Sequence, residues 1–229
     1  MPRETFEREL SKLQDEILEL GSMVEQAIRD SIQALKQRDL EKSQEIFTND
    51  RYINQKRFNI ENNCLVLIAT QQPMARDLRV VAAVLEINTE LERIGDYAKG
   101  ICRINFLLGE EPLIMPLNDL VDMAEKGLSS LTRALDAFVA RDAVAARAIA
   151  AEDDQIDFLY NRVYKELMHL MIANPRVIDH ANYLVWAAHN LERLGDRVTN
   201  ICERIIFVVT GEMRELDAAN DDKLTRQSL

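Results

Sequence analysis

The chain has 229 residues, with 39 Asp and Glu against 28 Lys and Arg, a formal net charge of −11 and a pI near 4.9. That surplus argues against nonspecific nucleic-acid binding and against polybasic attachment to a membrane surface, both of which need a basic footprint. With 47% hydrophobic and 29% charged residues, the balance is globular rather than disordered, and the length suits one large domain or two small ones.

Only 7 glycines and 5 prolines are present, too little turn punctuation for an all-β chain, so a nearly all-helical fold is expected. The first helix is predicted over 3–37, with Leu10, Leu13, Ile17, Leu20 and Val24 on one apolar stripe. Arg38-Asp39 marks a tight turn into a second helix over 40–70. Gln71-Gln72-Pro73 is a break, with the proline placed to start a third helix over 75–108. Gly109 through Asn118, with Pro112 and Pro116, is the longest break. Helices over 118–140, 143–172 and 176–210 follow, separated by Arg141-Asp142 and Asn174-Pro175. Leu184, Ala188, Leu191, Gly195, Val198 and Cys202 form the stripe of the last one, Gly211 ends it, and a polar tail follows. No apolar run approaches the roughly 18–20 residues that span a bilayer, and the start lacks a signal-peptide core. Cys64, Cys102 and Cys202 are an odd number without metal-type spacing, read as buried thiols in a reducing cytoplasm.

The second half repeats the first. Arg38-Asp39 returns as Arg141-Asp142, and Asp50-x-x-Ile53-Asn54 as Asp153-x-x-Ile156-Asp157. Pro73 returns as Pro175, and Leu91-Glu92-Arg93-Ile94-Gly95-Asp96 as Leu191-Glu192-Arg193-Leu194-Gly195-Asp196. The expected fold is therefore all-α: six long helices in two similar antiparallel three-helix bundles, related by a pseudo-twofold internal repeat. The boundaries read as residues 1–109, a linker over 110–117, a second bundle over 118–211 and a tail over 212–229.

Glu92 and Asp96 are four apart on one helix, as are Glu192 and Asp196, which puts each pair on one face. Asp153 and Asp157 make a further pair one helix earlier, with Asp50 and Asn54 as first-half counterparts. Facing each other in a bundle, these carboxylates form two related oxygen-rich sets suited to hard cations, or to iron and manganese with a histidine. The structural alternative is a solvated acidic face bonded to Arg and Asn. Gly95 and Gly195 each accept roughly 1 kcal/mol of helix cost, for which close approach of a neighbouring backbone is the expected reason. Arg193 is expected to point away from the Glu192 flank. Glu166-x-x-His169 matches half of a di-iron bundle motif, whose second half is missing.

Glu61-x-x-Cys64-Leu65-x-Leu67-Ile68-Ala69-x-Gln71-Gln72-Pro73-x-Ala75-x-Asp77-Leu78-Arg79, the doubled Leu-Glu-Arg-x-Gly-Asp string, Thr199-Asn200-Ile201 and Val209-Thr210-Gly211-Glu212 together resemble the PhoU family, from about Phe6 to Glu212. The resemblance implies a non-enzymatic, cytoplasmic negative regulator of the phosphate-starvation response and of phosphate uptake, recruited to the inner face of the membrane through its partners. It implies an adaptor, expected as a homodimer, that couples the ATPase subunit of a phosphate ABC transporter to a phosphate sensor histidine kinase. Some members of the family bind Fe, Zn, Mn or Mg through Glu/Asp-x-x-x-Asp motifs. Carried over, the metal residues are Glu92, Asp96, Glu192 and Asp196, with Asp50, Asp153 and Asp157 in support. Gly100 stands where the first motif carries Asn, Arg197 where the second often carries His, and Asn54 where Asp is common. An accessory protein of a simpler phosphate permease and a carboxylate-bridged helical-bundle metalloprotein are the alternative readings.

Overall fold

The computed structural model describes residues 2–213, 215 and 216, with the side chains of 2 and 3 left aside. The described part is helical, with seven α-helices: α1 (Pro2–Gln37), α2 (Leu40–Gln71), α3 (Arg76–Leu108), α4 (Asn118–Ala140), α5 (Ala143–Ala150), α6 (Asp154–Ala173) and α7 (Ile178–Thr210). A single 3-10 turn over Pro175–Val177 leads into α7. At about 1.5 Å per residue, the longest helices reach roughly 50 Å.

The helix ends follow from local chemistry that occurs twice. Arg38 and Arg141 both adopt a left-handed backbone, with φ of 59° and 55°. Asp39 and Asp142 then cap the next helix, accepting from Lys42 N at 2.8 Å and from Val144 N and Ala145 N at 2.9 Å. Such caps satisfy amide groups that the helix cannot pair itself, worth about 1 kcal/mol each. Gly211 closes α7 with φ of 80° and a bond from its amide to Phe207 O at 2.8 Å.

Two predicted details differ. Pro73 does not open α3; it lies in the loop, and the helix starts at Arg76. The helix predicted over 143–172 is two helices, α5 and α6, separated at residues 151–153 by amide bonds that reach back only three residues, including Glu152 N to Ile149 O at 3.0 Å. Three successive carboxylates, Glu152, Asp153 and Asp154, stand at this break. Acidic groups sit favourably at the N-terminus of a new helix, where the macrodipole is positive.

The helices α1, α2 and α3 pack on one another, as do α4, α5–α6 and α7. The inner helices α1, α3, α7 and α4 close a ring of contacts: α3 lies along α7, and α1 touches α4. One apolar core runs through both halves, from Phe6 and Ile17 to Ile201 and Ile205. Both predicted stripes are buried in it. Fully buried side chains such as Ile17, Leu20 and Val24 contribute about 1.5–3 kcal/mol each by leaving water. Among the described residues, no helix is long and apolar enough to cross a membrane.

Candidate functional site

Helices α2 and α3 bring Asp50, Glu92 and Asp96 together. Asp50 is only 6% exposed, and a buried carboxylate needs partners. Asn54 Nδ2 donates to it at 2.9 Å and Lys99 Nζ at 2.8 Å. Lys99 reaches down from α3, one helical turn after Asp96, and its ammonium also lies 5.3 Å from the centre of the Phe47 ring. Burial pushes the Glu92 carboxyl up, and the charges of Asp96 and Asp50 add to the shift while Arg57 opposes it. Asp96 is raised by burial and by Asp50, with Lys99 opposing. The Lys99 pKa is itself raised, first by the hydrogen bond to Asp50 and then by the charges of Asp50, Asp96 and Glu92. Lys99 therefore pairs with Asp50 and feels the charge of all three acids, while Arg57 and Arg93 also act on Glu92.

The second set forms where α6 and the α5–α6 break face α7. A Cβ on Gly195 would overlap Asp153 Oδ1 and come within 3.1 Å of Ile156 Cδ1. At Gly95 the neighbours are Ile53 Cγ2 at 3.2 Å and Cδ1 at 3.3 Å. The glycines thus admit side chains of the preceding helix, not its backbone, and a different side chain in each half. Glu192 is raised by burial, then by Asp196 and Asp157, with Arg193 and Arg197 opposing. Its Oε2 is buried without a hydrogen bond, although His189 Nδ1 lies 3.3 Å away. Burial and the charge of Arg193 hold His189 below its usual pKa. Arg193 does not point away from this flank: it donates to Asp196 at 3.1 Å and approaches Glu192 to 3.7 Å. Glu166 and His169 are both exposed.

Among the described residues, no three His, Cys, Asp or Glu side chains form a group able to hold a metal ion. The first set does not fit one, because Lys99 already pairs with Asp50, its most buried acid, and its charge acts on Asp96. The second set has the donors for a hard cation in Glu192, with its orphaned oxygen, Asp196 and Asp157, with Asp153 alongside. It is not preassembled, and Arg193 engages Asp196.

The departures at 100 and 197 belong elsewhere, on the seam between the halves. Glu90 is 7% exposed on α3 and accepts from Arg93 at 3.1 Å, from Arg197 at 3.1 Å and from Asn200 at 3.2 Å. At the pseudo-symmetric place Asn190 of α7 meets Gly100 of α3, where a Cβ would lie 2.9 Å from Asn190 Nδ2. Glu90 was missed in the sequence because its repeat partner is Asn190. Lys99 was missed because it lies just beyond the doubled string, where the second half carries Thr199. The thiols of Cys64, Cys102 and Cys202 are buried and free, and burial raises each to about 12.

Comparison with known proteins agrees with this architecture. The profile of the family described as PhoU domain matches residues 17–104 and 120–205. A "Phosphate-specific transport system accessory protein PhoU homolog" of Clostridium acetobutylicum is 35% identical over 218 residues, covering 95% of this chain and 100% of its own. The crystal structure of the "phosphate transport system regulatory protein PhoU" from Streptococcus pneumoniae superposes with a TM-score of 0.85 at 34% identity, over 91% of this chain and 99% of that one. PhoU from Pseudomonas aeruginosa superposes equally well, at 0.85 and 32% identity, over 90% and 100%.

Proposed function

The chain belongs to the PhoU family, and on that premise we propose that it is an accessory and regulatory protein of phosphate transport, acting as a negative regulator of the phosphate-starvation response and of phosphate uptake. It works without catalysis, as an adaptor between the ATPase subunit of a phosphate ABC transporter and a sensor histidine kinase, and it assembles as a homodimer in the cytoplasm, reaching the membrane face through these partners. The observation that carries the reading is likeness over nearly the whole chain, in both halves, to proteins named for that system. Long helices with exposed apolar side chains, including Phe58 and Leu65 on α2 and Phe158 and Ile172 on α6, support a protein that acts by contact.

An adaptor of this kind acts by different affinity for two states of its partners. It binds the kinase best when the transporter reports sufficient phosphate. Deleting the gene then gives starvation-gene expression in phosphate-rich medium, and restoring the full chain represses it. Normal repression in the deletion strain would refute the proposal.

We further propose that the cation capacity of the chain lies in the second set, with Glu192, Asp196 and Asp157 as ligands for Mn, Fe, Zn or Mg. Binding there has to draw the carboxylates together and displace Arg193. Support comes from Glu192 Oε2, buried without a hydrogen bond, and from the nearness of Asp196 and Asp157, whose charges add to the effect of burial on Glu192. Glu192→Gln combined with Asp196→Asn lowers the Mn2+ stoichiometry of metal-stripped protein; an unchanged stoichiometry would count against it.

A further inference from the structure

The two acidic sets look alike in sequence and are built differently. In the first, the deepest acid is Asp50, 6% exposed and bonded to Lys99 Nζ at 2.8 Å. Asn54 occupies a second donor position on the same Oδ2 at 2.9 Å. The second half has Thr199 in place of Lys99 and Asp157 in place of Asn54. Asn54 removes a negative charge from the first set and Lys99 adds a positive one, and both place N–H donors on Asp50. The aliphatic stem of Lys99 lets its ammonium reach Asp50 from the next turn of α3, and its place over the face of the Phe47 ring holds the charge further.

We propose that the Lys99 ammonium is a tethered counterion that stands in for a divalent cation at Asp50, Glu92 and Asp96, so that the first half of this chain takes no metal as it stands and would take one if the ammonium were removed. An ammonium and a divalent cation compete for the same oxygens. The tethered group has the advantage of carrying its own local concentration, and it offsets part of the negative charge when free metal is scarce. Neighbouring carboxylates repel one another without a cation. Removing Lys99 leaves Asp50 without its ammonium, and a hard cation that draws the three acids together can then take its place.

The test is a titration of metal-stripped full-length protein with MnCl2, following the loss of the free Mn2+ resonance as the ion is bound. In the otherwise native chain, Glu92→Gln combined with Asp96→Asn leaves the number of bound Mn2+ unchanged. Lys99→Met binds one more Mn2+ per chain than the native protein, Lys99→Arg binds none extra, and adding Asp50→Asn to Lys99→Met abolishes the gain. Loss of a bound Mn2+ from the native chain on Glu92→Gln with Asp96→Asn would overturn the proposal. So would a folded Lys99→Met protein that gains none. The first comparison stands even if Lys99→Met does not fold.

Discussion

Glu90 of α3 and Arg197 of α7 form an ion pair at 3.1 Å across the seam between the two halves, with both side chains largely out of water. The pair joins α3 and α7, the last helices of the two halves of the repeat. Glu90 also accepts from Asn200, and the counterpart of that contact across the pseudo-twofold axis is Asn190 with Gly100, which carries no charge. The seam is thus polar at one end and close-packed at the other.

Glu90→Ala leaves the guanidinium of Arg197 and the amide of Asn200 without their shared acceptor. Stranding buried donors costs about 1–3 kcal/mol. The expected result in urea denaturation is a lower midpoint with an unchanged slope. A double-mutant cycle with Arg197→Ala then gives a clear coupling energy; strictly additive losses would show that the pair holds nothing.

Neutralising Glu192 raises the melting temperature. Burial and the neighbouring acids push its carboxyl up in the folded state, so the folded chain binds that proton more tightly than the unfolded chain does. The charged form is then a penalty that is fully present above the raised pKa and fades as the pH falls toward the unfolded value of about 4.3. Thermal melts should show Glu192→Gln more stable than the native chain at pH 7, with the difference gone at pH 4. A gain that is equal at both values would exclude the electrostatic cause.

Close packing between helices makes a different demand. A Cβ on Gly21 of α1 would overlap Leu135 Cδ1 of α4, and Leu135 is buried. Overpacking of this kind costs about 1–3 kcal/mol, more than the roughly 1 kcal/mol that alanine gains over glycine in a helix. Gly21→Ala is therefore destabilising. Gly100→Ala meets only the amide end of Asn190, a partly exposed side chain that can turn away, and is expected to be neutral or stabilising. Equal effects in equilibrium unfolding would contradict the distinction.

The three thiols should be silent in the native state. Burial raises each to about 12, and only thiolates react readily. At pH 8 a disulfide reagent is expected to leave all three unmodified in the folded chain and to modify all three in guanidinium. Rapid reaction of one native thiol would show that its helix opens locally.

The helix ends were legible because their signals are local. An N-cap Asp after an arginine, at both Asp39 and Asp142, and a terminal Gly211 fix a backbone conformation with little help from tertiary structure. The division of α5 from α6 was not legible. The apolar period runs through it, with Ala146, Ile149, Ile156, Leu159 and Val163 all buried, so only three consecutive acids mark the break. In the acidic sets, the four-residue spacing identified the faces that carry the carboxylates. It said nothing of the cations between them. Lys99 and Arg193 reach their partners through long side chains whose direction depends on the neighbouring helix. Gly100 and Arg197, read as departures from a ligand pattern, turned out to be fitted to the seam, because the α3 face that meets α7 can be identified only when both helices are placed.

The most direct measurement of the regulatory account is co-purification of the full chain with the phosphate transporter's ATPase subunit and with the sensor kinase, from membranes of cells grown in phosphate-rich and in phosphate-starved medium. The account predicts capture of both proteins, with more kinase retained in the phosphate-rich sample. Capture of neither protein in either medium would contradict it.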